Sequence, residues 1–173
     1  MNDFGVLVRI DRPDLLPSLR GLFEALKAAK DTEEFGALDD WRGRLPEEVQ
    51  SKFEWPKERE LEERRSIREQ HPVRIAQPEE AMGEVWPFDS VLDAVQNGEY
   101  SLLGVEQTSP ETAEIRIDPE AYPYGGLGAF IAIAEAHGMY VLGVNEYGKY
   151  QERVGLPNRS NEPATRKPWW KLW

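Results

Sequence analysis

The glycine-rich turn Gly125-Gly126-Leu127-Gly128 is the segment of this chain that comes closest to a phosphate-binding loop. A dinucleotide-binding fingerprint needs a further glycine three positions after Gly128, and a P-loop needs Gly-Lys followed by Ser or Thr. Ile131 occupies the position of that glycine, and no Lys or Arg lies between Arg116 and Lys149 to balance a phosphate. The turn is therefore interpreted as a structural hinge that leads into a buried helix.

Carboxylates near this turn are the second candidate for chemistry. Glu106, Glu114 and Asp118 fall in two segments that are predicted to form a hairpin, where their side chains would converge as a general acid and a general base. Such a pair needs a cleft with several convergent groups, whereas the acidic surplus of this chain produces carboxylate pairs by chance. A small enzyme that uses carboxylates beside the glycine turn is kept as an alternative function.

Metal and nucleophilic chemistry have less support in the sequence. Glu135 stands two positions before His137, so the two side chains point to different faces of a helix and are poorly spaced for a shared metal ion. His71 lies in a polar segment without a companion, and the chain contains no cysteine. No Gly-x-Ser-x-Gly nucleophile elbow is present. We predict no metal ion and no cofactor.

The net charge of −11 is distributed unevenly along the chain. Residues 75–148 contain 13 acidic side chains and a single basic one, Arg116, whereas residues 149–173 contain six basic and two acidic side chains. A segment this acidic repels nucleic acid phosphates and attracts a cationic surface. We therefore predict a protein partner with a basic surface, and no binding of nucleic acid.

Hydrophobic periodicity predicts the elements that position these residues. The order of the predicted elements indicates an α+β fold with helices on one face of a mainly antiparallel sheet, compatible with a ferredoxin-like core and a helical insertion. In the segment 112–118, apolar and polar residues alternate, which is typical of a strand with one exposed face. Strands are predicted over 3–10, 100–107, 112–118 and 139–144, and helices over about 14–29 and 89–97, with another after the glycine turn.

The chain is predicted to form a single α+β domain over residues 1–148, with a helical insert at about 31–72. Residues 149–173 are rich in proline and tryptophan and carry the basic excess, so we interpret them as a tail that packs back on the acidic body. An interfacial membrane anchor is the alternative for this tail. No run reaches the roughly 18 apolar residues of a membrane-spanning helix, and a cytoplasmic location is expected.

Tyrosines lie close to the acidic residues of the middle segment. Their rings either cap the core or contribute to a protein interface, where tyrosine is favoured because it is large, rigid and able to form hydrogen bonds. We expect the acidic residues and tyrosines of this region to form a partner-binding face, with these members: Glu106, Glu111, Glu114, Asp118, Glu120, Tyr122, Tyr124, Glu146, Tyr147 and Tyr150.

The predicted hairpin, the Tyr-Pro-Tyr-Gly-Gly turn and the Glu-Ala-His-Gly helix end occur together within residues 86–147. This segment resembles small immunity proteins of bacterial contact-dependent and secreted toxin systems. The resemblance implies a single-domain cytoplasmic inhibitor that occludes the active site of a cognate toxin. The charge distribution agrees, because an acidic inhibitor docks rapidly on a basic toxin through electrostatic steering. An adaptor that is recruited through the tryptophan-rich tail is a further alternative.

Overall fold

The computed structural model describes residues 4–70, 85–120, 127–146 and 149–152. Seven strands and six helices are found in these ranges, and none of these helices is long and apolar enough to cross a membrane. In chain order the elements are β1 (Gly5–Arg9), α1 (Leu16–Thr32), α2 (Leu38–Gly43), α3 (Glu47–Gln50), β2 (Phe53–Glu54), α4 (Glu58–Gln70), β3 (Trp86–Pro87), α5 (Phe88–Gln96), β4 (Tyr100–Gln107), β5 (Thr112–Pro119), α6 (Leu127–Ala136), β6 (Tyr140–Glu146) and β7 (Lys149–Glu152).

Five of the strands form one antiparallel sheet in the order β4-β5-β1-β6-β7. Because β5 lies between β1 and β4, and β1 lies between β5 and β6, the helical connections join strands that are parallel but not adjacent. Two such interleaved units, β1-α1-β4 and β5-α6-β6, make the ferredoxin-like arrangement. The predicted α+β fold with a mainly antiparallel sheet is therefore confirmed, and β7 adds a strand beyond β6.

The core lies between this sheet and the helices α1, α5 and α6. Leucines recur at helical spacing in α1, and they are buried together with Val91, Leu92 and Val95 of α5. Helix α6 is apolar around most of its circumference, and every residue from Ala129 to Ala134 is buried. Phe130 contacts Phe23 of α1 and Tyr100 of β4, with ring centroids 5.6 and 5.3 Å apart.

The insertion between α1 and α5 consists of α2, α3, β2 and α4. An aromatic cluster attaches it to the first residue of α5, because Phe53 and Trp55 pack against Phe88 with centroid distances of 5.1 and 4.6 Å. The parallel pairing of β2 with β3 brings the chain back to the core at Trp86–Pro87. The inserted segment is therefore joined at this point to the residues that lead into α5.

The ends of the helices follow the predictions only in part. Helix α6 is followed by Gly138 with a φ of +69°, the left-handed conformation expected after a helix end. Helix α5, in contrast, has no side-chain cap at its start and ends at Gln96, one residue before the predicted limit of 97. Lys30 of α1 accounts for that end, because its Nζ donates to the carbonyls of Val95 and Gly98 at 2.8 Å each.

The edges of the sheet also differ from the expected layout. Residues 149–152, predicted to begin the tail, form β7 and pair with β6. At the other edge, the register of β4 shifts between Leu102 and Gly104, where Leu103 is inserted as an exposed extra residue and Gly104 has a φ of +124°. The predicted packing of the remaining tail, residues 153–173, lies outside the described residues, as does the glycine turn up to Gly126.

Candidate functional site: the open face of the sheet

The face of the sheet opposite the helices is the candidate functional surface, and we call it the open face. Residues directly opposite each other in an antiparallel pair project to the same face, so the strand register assigns its members. In β5 they alternate with the buried Ala113, Ile115 and Ile117. The members of the open face are Gly5, Leu7, Arg9, Glu106, Thr112, Glu114, Arg116, Asp118, Tyr140, Gly143, Asn145, Tyr150 and Glu152.

Two rows of these residues cross the centre of the sheet. The first row, which begins at Tyr150 of β7 and ends at Arg116 of β5, is called the upper row. The second row, which begins at Glu152 of β7 and ends at Glu106 of β4, is called the lower row. The lower row is acidic at both ends, because Glu152 begins it and Glu106 ends it. The upper row consists of Tyr150, Asn145, Gly5 and Arg116, and the lower row of Glu152, Gly143, Leu7, Glu114 and Glu106.

Glu106 and Glu114 lie directly opposite each other, as the hairpin prediction required. Two like charges in this position repel, and Arg116 relieves the repulsion by donating from Nη1 to Glu106 Oε2 at 2.6 Å. The Glu106 side chain is 60% exposed. The carboxylates therefore belong to a solvated ion network and not to a shielded cleft of the kind that acid–base catalysis uses.

Two glycines on neighbouring strands allow side chains to lie low over the centre of the open face. A Cβ on Gly5 would be 3.1 Å from Cγ of Glu114, and a Cβ on Gly143 would be 2.7 Å from Cε2 of Tyr150. Glu114 therefore leans over β1, and the ring of Tyr150 leans over β6.

Asn145 lies in the upper row, between Gly5 and Tyr150. Its Oδ1 atom is buried and has no hydrogen-bond partner. Buried polar atoms without a partner are few in folded proteins, because they lose hydration without a compensating bond. Sequence reasoning did not single out Asn145, since an asparagine near the end of a strand carries no signal of this kind.

No family model, curated protein or solved structure matches this chain. The assignment of the fold therefore depends on the strand order, and the candidate site depends on the geometry of the open face.

Four residues of the predicted partner-binding face lie on the open face: Glu106, Glu114, Asp118 and Tyr150. Glu111 lies at the exposed hairpin turn, and Glu120 follows β5, where it accepts a hydrogen bond from Ser101 Oγ at 2.8 Å. The backbone of Glu146 ends β6. The predictions for Tyr122, Tyr124 and Tyr147 lie outside the described residues.

The acidic surplus of the middle segment is not confined to the open face. Asp89 and Asp93 lie on α5, and Glu135 lies on α6, so these carboxylates belong to the helical layer. Glu152 of β7 joins the acidic residues of the open face, although the sequence placed it in the basic tail. The open face thus combines carboxylates from β4, β5 and β7.

His137 is fully buried at the end of α6 and serves the fold. Its Nδ1 lies 2.8 Å from the carbonyl oxygen of Ile133, which only accepts, so Nδ1 carries the proton. Nε2 is then the acceptor for the hydroxyl of Ser18, 3.3 Å away on α1. Burial lowers the pKa of His137, so the ring is neutral and adds no positive charge at the end of α6. The ring of His137 is therefore enclosed by the fold.

Metal chemistry finds no support in the described ranges. They contain no group of three or more His, Asp or Glu side chains arranged to hold an ion. Glu135 is half-buried while His137 is buried, in agreement with their predicted divergence. The open face therefore remains the candidate functional surface of the described residues.

Proposed function

We propose that the protein is a cytoplasmic immunity protein, which binds a cognate basic bacterial toxin through the open face and occludes the active site of that toxin. The observation that carries this proposal is the set of carboxylates on one surface of the sheet, from Glu106, Glu114, Asp118 and Glu152. The immunity-protein resemblance of residues 86–147 supports the same function.

The charges of the open face favour a cationic partner. Its two described cations are already engaged, since Arg116 pairs with Glu106 at 2.6 Å and Arg9 pairs with Asp11 at 2.6 Å. The carboxylates of Asp118 and Glu152 add negative charge that these arginines do not match. Such a surface accelerates association with a positively charged protein and disfavours neutral or acidic competitors.

The open face and the adjoining β4 edge also have the apolar groups that an interface requires. Tyr150 of the open face is 50% exposed, and Leu103, the extra residue of the β4 bulge, is 46% exposed at the edge of the sheet. Partly exposed aromatic and aliphatic side chains provide the anchors of protein interfaces, while the charges around them set the orientation.

A sheet face suits inhibition by occlusion because its backbone is held by hydrogen bonds to neighbouring strands. Toxins that act on nucleic acids hold phosphates with basic groups. The carboxylates of the open face present charge of the same sign as those phosphates, so they compete for the same basic groups.

The experiment is growth rescue with the product of the adjacent reading frame. That product is expressed alone and together with this protein, and we expect growth to stop in the first case and to recover in the second. A variant with Glu114→Lys, Asp118→Lys and Glu120→Lys should lose rescue and should associate more slowly with the purified partner.

The matched control reverses the same number of charges on the helical side, with Glu24→Lys, Asp31→Lys and Glu34→Lys. These three residues are exposed. We expect this variant to rescue growth as the parent does. Equal rescue by both variants would remove the open face from the mechanism, and an adjacent product that is harmless or is not bound would contradict the proposed function.

A further inference from the structure

We infer that the centre of the open face receives one arginine side chain of the partner, with Asn145 Oδ1 as the acceptor, the Tyr150 ring beside the guanidinium and the Glu114 carboxylate opposite. This inference rests on the proposed function, because it specifies how a basic partner is anchored.

The first argument is the unpaired acceptor. Asn145 Oδ1 is buried without a hydrogen-bond donor, so the free protein bears the cost of its lost hydration. Asn145 as a whole is only half-buried, so its side chain reaches the open face. A donor from a partner removes the cost, which makes this atom a favourable point of attachment.

The second argument is the pair of groups on either side. Tyr150 leans over Gly143, and Glu114 leans over Gly5, while Asn145 is the direct neighbour of both Gly5 and Tyr150. An aromatic ring attracts a cation placed over its face, and a carboxylate accepts two parallel bonds from a guanidinium.

The third argument concerns the choice of arginine. Its planar group combines several fixed donors with the ability to stack on an aromatic ring, whereas lysine carries a compact and strongly hydrated charge. The site offers an aromatic ring, an amide oxygen and a carboxylate in different directions. The several N–H donors of one guanidinium group and its planar face can engage all three.

The surrounding charges permit this occupant. Arg116 is the described cation in the same row, and its pairing with Glu106 neutralises it locally. Arg9 lies farther along β1 and is paired with Asp11. Glu114 and Glu152 flank the site in the lower row, so the balance around Asn145 favours a positive charge.

The test is a titration of the full ¹⁵N-labelled chain with N-acetyl-arginine methylamide, followed by NMR. We expect saturable, salt-sensitive shifts of the Asn145 side-chain amide and of the backbone amides of Gly5, Gly143 and Tyr150. The citrulline analogue, which has the same shape without the charge, should produce no saturable shift. The lysine analogue should bind several-fold more weakly.

Variants separate recognition from folding. Asn145→Leu should abolish the shifts at Gly5 and Gly143 while leaving the thermal midpoint equal or higher, because it removes the unpaired acceptor. Asn145→Asp should bind the arginine analogue several-fold more tightly. Tyr150→Phe should retain binding, and Tyr150→Leu should weaken it several-fold.

Shifts that are equal for citrulline, or that fall on the helical side of the sheet, would overturn the arginine site. Equal binding of the lysine analogue would overturn the choice of arginine. Growth rescue without an arginine response would leave the proposed function standing and remove only this anchor. If the arginine analogue binds but the adjacent product neither stops growth nor binds this protein, the arginine site would stand and the proposed function would be removed.

Discussion

Glu114 and Ile115 are neighbours in β5, but they belong to surfaces with opposite properties. Ile115 is fully buried under the helices, whereas Glu114 lies over Gly5 on the open face. The same alternation continues through Arg116 and Ile117. Because side chains of a strand project to alternate sides, one set of residues builds the core while the other set is left to carry charge.

The two faces also differ in the hydrogen bonding of their buried polar atoms. On the helical side, both ring nitrogens of the buried His137 are within hydrogen-bonding distance of a partner, and the hydroxyl of Tyr100 donates to the Ala94 carbonyl at 3.1 Å. On the open face, Asn145 Oδ1 has none. Among the described residues, the buried side-chain atom without a partner thus lies where a partner is proposed to bind.

The largest contrast should come from substitutions of neighbours in β5. Ile115→Ala leaves a cavity in the core and should lower the free energy of unfolding by about 2–5 kcal/mol. Glu114→Gln keeps the shape of an open-face residue and should change it by less than about 1 kcal/mol. Urea denaturation of both variants measures the difference, and similar losses would mean that the open face is packed as the core is.

Glycine substitutions test whether the open face is closely packed at its centre. Gly143→Ala places a carbon 2.4 Å from the Gln151 carbonyl oxygen and should lower the free energy of unfolding by about 1–3 kcal/mol. Gly21→Ala is the control, because nothing lies within 4 Å of the added carbon on α1. It should raise stability by up to about 1 kcal/mol, since alanine favours helices. A harmless Gly143→Ala would show that the backbone of β7 and the Tyr150 ring move aside at little cost.

Acidification should destabilise the helical side through His137. Burial lowers its pKa in the folded protein, so the unfolded chain, with an ordinary value of about 6.5, binds the proton more strongly. The associated stability is complete above that value and decreases as the pH falls towards the lowered pKa, with a slope of at most about 1.4 kcal/mol per pH unit. His137→Gln should reduce the slope measured by denaturation between pH 7 and 5. An unchanged slope would assign the pH dependence to other groups.

The smallest effect should come from the ion pair of the open face. Glu106→Gln removes the charge that Arg116 contacts, and the exposure of Glu106 limits the loss of unfolding free energy to about 1 kcal/mol or less. At high salt the parent and the variant should become closer in stability, because solvent ions screen the pair. A larger loss that resists salt would show that Arg116 is held in a more enclosed environment.

The central sheet was predictable because its strands follow simple periodicities. β4 begins and ends where the alternation indicated, and β5 extends one residue further. The insert was less predictable, since it is held by contacts of Phe88 with Phe53 and Trp55, which are distant in sequence. The four polar residues of β7 have no strand pattern of their own, and the strand exists because β6 offers hydrogen-bonding partners.

The candidate site was predictable to a similar extent. Alternation along the hairpin placed Glu106, Glu114 and Asp118 on one face of the sheet. The position of Asn145 was not accessible in the same way, because the burial of its oxygen depends on neighbours from β1 and β7, and those neighbours are defined by tertiary register.

The irregular β4 edge has a consequence for self-association. The inserted Leu103 and the left-handed Gly104 break the row of backbone groups that a straight edge strand would present. Bulges and short strands at sheet margins hinder templated growth into larger sheets or fibrils, and β7 at the opposite margin is only four residues long. Within the described residues, both margins thus offer few backbone groups to an incoming extended strand, which disfavours strand-by-strand polymerisation.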